Sequence, residues 1–357
     1  MRCLMLLAAF LISTAALAAP IPASGDRNAA LAQYQHDLVS ILVLRDDATH
    51  LLGAALLARP LEDLPPGTDA ASLLQRAGRA DDHGPVVDWM KLTDCDGEQT
   101  PCPNAQALAT LREQAPDNAA VWMLELDRAV RDHDEEAVHN ALLQAAAANR
   151  YDDYAGMALA AAVAAATSLP VPGDVIAAYA GSTDAGAASA QAFLALSVAA
   201  LHPRPILQPL VALCAPDATG AEALREPCLK LARTLAWGSS PQARAAGLHI
   251  QEQLADSDAA RDAARSAQRD LAWQVRNFSR LSLDALADQA RAVQLLRLAQ
   301  RGSSEAALMG AMLHRNGIPL EAPHAAEDDN TSPALETDAD DTAEEAPASA
   351  ASTAPES

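Results

Sequence analysis

The side chains best equipped for chemistry are four cysteines, Cys95, Cys102, Cys214 and Cys228; a fifth, Cys3, stands at the start of the chain. Thiolates bind zinc, exchange electrons or close disulfides, and spacing discriminates among these roles. Structural zinc sites draw ligands in close pairs, about two to four residues apart. Here six residues separate Cys95 from Cys102, and thirteen separate Cys214 from Cys228. The Cys-x-x-Cys spacing of a redox pair is absent. Cys95 and Cys102 belong to Asp94-Cys95-Asp96-Gly97-Glu98-Gln99-Thr100-Pro101-Cys102-Pro103, where Asp96-Gly97 favours a turn and the prolines keep helix out.

The densest set of other reactive groups is Asp132-His133-Asp134-Glu135-Glu136 with His139. Its histidines are six apart, not the four that set two imidazoles on one helix face for zinc. Acids favour the first turn of a helix, so this segment reads as an inter-helix turn. Tyr151-Asp152-Asp153-Tyr154 reads as a helix cap flanked by two packing aromatics. Gly181-Ser182-Thr183-Asp184-Ala185-Gly186 is a loop without the strand or the Lys-Ser/Thr pair that a phosphate site needs. Neither Gly-x-Ser-x-Gly nor His-Glu-x-x-His occurs. Trp89, Trp122, Trp237 and Trp273 are expected to anchor the core. No catalytic, cofactor-binding or metal-binding residue is therefore expected.

The opening residues bear on what becomes of the cysteines. Met1-Arg2 is basic, Leu4 to Leu17 is apolar and uncharged, and Ala16-Leu17-Ala18 offers small residues where signal peptidase reads. A signal peptide over 1–18 is expected, cut before Ala19 because Pro20 would obstruct a cut directly ahead of itself. The apolar run is too short to span a bilayer, which takes about 20 residues. Cys3 precedes that run, which argues against a lipoprotein. The other apolar stretch, Ala155 to Val171, is mostly alanine and is broken at Pro170, so it reads as a buried helix pair. Periplasmic or secreted proteins meet an oxidising compartment, where four cysteines read as disulfides. Of the three possible pairings, locality favours Cys95–Cys102 and Cys214–Cys228.

The elements that must hold these residues are helical. Half of the 357 residues are hydrophobic, yet only 3% are aromatic, and about a quarter are alanine, the strongest helix former. Period-two runs of Val, Ile and Thr are hard to find, so the fold class is all-α. Asn28 to Arg59 has an apolar face at helical spacing, broken near Asp46-Asp47. Asp117, Asp134, Asp152-Asp153, Ser240-Pro241 and Ser303-Ser304-Glu305 read as helix starts, and Gly317 with Pro319 as a stop. The longer helices begin near Asp117, Asp152, Asp184, Thr219 and Ser257, about 32 to 38 residues apart, the period of two-helix solenoid repeats.

Residues 117–150 resemble one tetratricopeptide repeat. Trp122 stands at the first-helix aromatic position, Ala129 at a packing position and Asp134 at the turn, with Val138, Leu142 and Ala145 matching the second helix. Leu126 replaces the usual small residue, and no proline closes the unit. The resemblance covers about one repeat closely and roughly 200 residues loosely, and it implies a right-handed array of antiparallel helix pairs with a concave binding groove. Residues 19–320 are expected to form one all-α domain, with a possible subdivision near 181–186.

Residues 321–357 are a different polymer. They hold eleven of the 47 acidic residues and no Lys or Arg. Such a segment cannot bury enough apolar surface to offset its ordering entropy, so it is expected to be a disordered acidic tail. The net charge of −22 argues against nucleic acid and anionic membrane surfaces as partners. The expectation is a non-catalytic envelope protein that binds a protein or peptide partner. An inhibitor of a periplasmic toxin, or a cell-wall hydrolase or lyase with a dispersed site, are the alternatives.

Overall fold

The computed structural model describes residues 25–92, 104–180 and 185–323. The expected signal peptide, the Cys95–Cys102 pairing, most of the 181–186 boundary and nearly all of the acidic tail lie outside the described residues. Within them the chain is all-α: sixteen helices and no strand, with one isolated bridge between Asn118 and Arg150.

Helices α1 (Gly25–Leu42) and α2 (Ala48–Ala58) divide the first apolar stretch at Asp46-Asp47, where Asp47 accepts the His50 N–H at 3.0 Å. Asp69 caps α3 (Ala70–Ala77), and a first-turn proline opens α4 (Pro85–Lys91). Asn104 caps α5 (Ala105–Gln114) and also donates its backbone N–H to the Leu92 carbonyl at 3.1 Å, which holds together the two ends of the segment carrying Cys95 and Cys102. Next come α6 (Ala119–Arg131), α7 (Glu135–Ala147), α8 (Ala155–Ala166), α9 (Gly173–Ala180), α10 (Ala187–Ala199) and α11 (Gln208–Leu213). The chain continues with α12 (Ala221–Ala236), α13 (Pro241–Gln253), the long α14 (Asp258–Ala287), α15 (Gln289–Ala299) and α16 (Glu305–Arg315). Caps of this kind contribute about 1 kcal/mol each.

The longer helices α6, α8, α10, α12 and α14 begin within three residues of the starts read from sequence. Two caps differ from expectation. Asn118, not Asp117, caps α6, because the Asp117 carboxylate pairs with Arg150 at 3.0 Å. Tyr154 stands at the head of α8 in a left-handed conformation, φ 58°, while Asp152 accepts its N–H at 2.9 Å. At the other end of the fold, Gly317 ends α16 as read. With φ 66° it lets the Ile318 N–H reach back to the Leu313 carbonyl at 3.0 Å.

A nearest-neighbour stack would place each helix against those flanking it in sequence. The pairs α6–α7, α12–α13 and α14–α15 pack in this way, but α8 does not. It lies chiefly against α2 and α10 and also touches α1, α15 and α16, while α7 meets α12 and α6 meets α11. Composition explains this. Helix α8 is Ala-Gly-Met-Ala-Leu-Ala-Ala-Ala-Val-Ala-Ala-Ala, buried on most sides, as expected of a helix that is apolar all round. The stretch read as a buried helix pair is thus one central helix ending at Ala166, and no described helix is long and apolar enough to cross a membrane. Its small side chains admit close neighbours: a Cβ on Gly53 of α2 would lie 2.5 Å from the Ala161 carbonyl oxygen.

The expected Cys214–Cys228 bond is present, with both residues buried and Cα atoms 5.7 Å apart. It ties the end of α11 to the middle of α12. Closing a loop of this length stabilises by about 3 kcal/mol in the chain-entropy model.

Candidate functional site: a tryptophan-bearing groove

Three of the four tryptophans donate their indole N–H to a proline carbonyl: Trp89 to Pro203 at 2.8 Å, Trp122 to Pro116 at 2.8 Å and Trp273 to Pro319 at 3.0 Å. Trp89 is fully buried, and Trp122 and Trp273 are partly covered. Trp237 differs, with 84% of its surface exposed. Sequence reading placed it in the core with the others. It follows Leu231, Leu235 and Ala236 at the end of an apolar face, but it is the C-cap residue of α12, where helical periodicity no longer dictates direction. The Gly238 that follows was the available signal for that helix end.

Trp237 lies on a groove of about 370 Å³ bounded by α12, α13 and α14. Ala236, Leu248, Ala267 and the buried Leu271 supply apolar walls, and Arg233, Arg244, Gln251, Asp270 and Gln274 supply polar groups. Small residues set how closely two of its helices approach. Gly247 of α13 packs so closely on α12 that a Cβ there would lie 2.6 Å from the Ala232 carbonyl oxygen. Gln251 donates to that same carbonyl at 3.0 Å. On the α14 side, Gln274 donates to the Leu320 carbonyl at 2.8 Å, and Asp270 accepts the Ala322 N–H at 2.9 Å.

The two arginines are left with capacity. Half-buried Arg244 donates through Nε to the Gly238 carbonyl at 2.8 Å, which anchors one edge of its guanidinium. Burial pushes its guanidinium below the usual arginine range. Among the described residues neither Arg244 nor Arg233 has a carboxylate within ion-pair distance, whereas Arg112, Arg128, Arg204 and Arg265 each do. The setting is also locally cationic. Residues 221–320 hold thirteen Lys and Arg against ten Asp and Glu, while residues 1–220 hold twelve against twenty-six.

The segments singled out from sequence lie elsewhere. Asp132-His133-Asp134 forms the α6–α7 turn, with His133 at φ 56° and Asp134 accepting the Ala137 N–H at 3.0 Å, as read. Tyr151-Asp152-Asp153-Tyr154 leads into α8, and it also gathers partners from distant parts of the chain. Asn118 accepts the Asp152 N–H at 2.8 Å and donates to the Asp152 carbonyl at 2.7 Å. The Ser239 hydroxyl donates to Asp153 Oδ1 and accepts the Asp153 N–H, both at 3.1 Å. His202 Nε2 meets the Asp153 carbonyl at 2.5 Å, so that nitrogen carries the hydrogen. Burial, reinforced by the nearby Asp153 charge, pushes the Tyr151 hydroxyl above the usual tyrosine range. Serine, histidine and aspartate thus occur together, but His202 bonds the backbone of Asp153 rather than its carboxylate, and all three are buried. The cluster is cross-linking, not a nucleophile aimed at a substrate. A larger concavity of about 530 Å³ lies between α3, α4 and α5, where Lys91 and Asp88 neutralise each other at 3.0 Å.

No family model matches this chain, and neither curated proteins nor solved structures give a match. The groove has to be interpreted from its own chemistry.

Proposed function

We propose that the protein is an exported, non-catalytic binding protein of the cell envelope whose α12–α14 groove receives an extended segment of a protein partner. The observation that carries this reading is Trp237, which places a large flat apolar surface in water beside a groove walled by Leu248 and Leu271. Tryptophan is enriched among residues that dominate binding energy, because it contributes much contact area at little entropic cost. The groove is open and lined by polar ends along apolar walls, which suits a chain segment with alternating contacts. The buried Cys214–Cys228 bond supports an oxidising location.

An array of immobilised octapeptides of random composition, probed with the full chain, tests the reading. A discrete set of peptides should be retained, and Trp237→Ala should reduce their affinity about tenfold or more, the loss typical of a hot-spot residue. Because Trp237 is almost fully exposed, its removal should leave the melting midpoint unchanged. An array that retains nothing, or retention indifferent to Trp237→Ala, would refute the groove as the binding surface.

A further inference from the structure

We infer that the segment held in the α12–α14 groove is acidic, and that Arg244, with Arg233 beside it, reads its carboxylates. The inference rests on the groove reading above and goes beyond it by specifying the charge and the residues that select it.

The side chain of Arg244 is placed to make that selection. Guanidinium offers five donors in a planar fork. Here Nε is spent on the Gly238 carbonyl, and Arg244 lines the groove with no hydrogen-bond partner for its two terminal nitrogens among the described residues. A half-buried cation has lost part of its hydration, and no carboxylate among the described residues compensates it; burial is the one cause acting on its titration. A ligand carboxylate would restore what burial removed, in the two-bond geometry that matches the fork. Arg233, one helical turn before Trp237 on α12, adds a second cation on the same lining. Asp270 is the acid that lines the groove, and its Oδ1 is already engaged by the Ala322 N–H.

Charge distribution points the same way. An acidic peptide approaching residues 1–220 meets a surplus of fourteen negative charges, whereas residues 221–320 carry a surplus of three positive ones. Of these two stretches, the one whose balance attracts an acidic segment is the one that forms the groove. A basic segment would be drawn to the other stretch and would face two uncompensated arginines here. Trp237 then supplies the apolar contact, with acidic side chains reaching Arg244 and Arg233 on either side of the bound backbone.

The test uses the octapeptides retained by the array and fluorescence anisotropy with the full chain at physiological ionic strength. The retained set should be enriched in Asp and Glu. Resynthesis with Asn for Asp and Gln for Glu should weaken binding about tenfold or more, the worth of a hydrogen bond to a charged group. Arg244→Gln should weaken the acidic peptides by a similar factor while barely changing the amide versions, so that the two changes are not additive. Arg244→Lys, which keeps the charge but loses the fork, should recover only part of the loss. Arg233→Gln, on an exposed side chain that cannot compromise folding, should weaken the acidic peptides several-fold. If peptides bind through Trp237 but show no acidic enrichment, and Arg244→Gln and Arg233→Gln leave affinity within twofold, the acidic assignment fails while the groove reading stands. If nothing binds, both fall together.

Discussion

His202 is where a single residue constrains the behaviour of the fold most sharply. Its imidazole stacks on Trp89 with ring centroids 6.3 Å apart, Nε2 donates to the Asp153 carbonyl, and Nδ1 faces the Met90 sulfur at 3.1 Å. A second proton would have to sit on Nδ1 against a weak thioether acceptor in a buried site. Burial accordingly lowers the His202 pKa to about 4; the Asp153 carbonyl and carboxylate raise it in part, and Arg204 and Arg59 add to the lowering. In the unfolded chain the same group titrates near 6.5. Between those two values the unfolded state binds the extra proton, so stability is fully present above about pH 6.5 and is lost as pH falls toward about 4. Urea unfolding across that window should show a loss of about 3 kcal/mol attributable to His202. His202→Gln, which keeps a donor for the Asp153 carbonyl but cannot titrate, should remove that part of the pH dependence at some cost in baseline stability. Identical pH slopes in the two proteins would show that His202 is not buried in its neutral form.

At the scale of elements, glycine and alanine decide which helices come close. Gly53 brings α2 onto α8, whereas Gly310 in α16 faces open space, and a Cβ added there would meet nothing within 4 Å. The same substitution should therefore have opposite signs at the two sites. Gly53→Ala forces a methyl against the Ala161 carbonyl and the Ala165 side chain and should cost about 1–3 kcal/mol. Gly310→Ala fills open space in a helix and should stabilise by about 0.5–1 kcal/mol. Thermal melts of the two variants against the parent decide the point, and destabilisation by Gly310→Ala would mean that α16 is packed differently. Helix starts were legible in the sequence because Asp134, Ser240, Ser304 and their kind satisfy backbone N–H groups locally, with no help from the rest of the chain. The pairing Cys214–Cys228 was legible because the two lie close in sequence. Partner choice among helices was not, since an alanine-rich helix such as α8 carries no stripe that names its neighbours. Trp237 escaped for a related reason: periodicity predicts a buried face within a helix but says nothing about a residue at its cap. Arg244 carries no sequence signal at all, because its lack of a carboxylate partner among the described residues is a fact of packing.

For the whole molecule, the consequence of α8 lying at the centre is cooperativity. The buried side chains from Tyr34 to Leu313 form one contiguous core, and the N-terminal helices are covered by C-terminal ones: α8 by α10, α15 and α16, α7 by α12, and α6 by α11. In a nearest-neighbour array each repeat contacts only those beside it, so a terminal part can be removed and the remainder stays folded. Here removal of the C-terminal helices would uncover the faces of α8, α7 and α6 that α10, α15, α16, α12 and α11 now cover. A chain ending at Ala180 should therefore lack a cooperative melt, even though its described residues include nine complete helices and the repeat-like stretch at 117–150. The full chain should unfold in a single transition whose calorimetric and van't Hoff enthalpies agree. Long-range polar cross-links reinforce this expectation, since buried Ser239 bonds Asp153 across 86 residues of sequence and, nearer the surface, Arg204 pairs with Glu305 across 101. A truncated chain with full helicity and its own sharp transition would instead mean that the two halves are energetically separable. The groove of α12–α14 could then be studied as an independent module. Failure of the truncated chain to fold would show that its helices depend on those that form the α12–α14 groove.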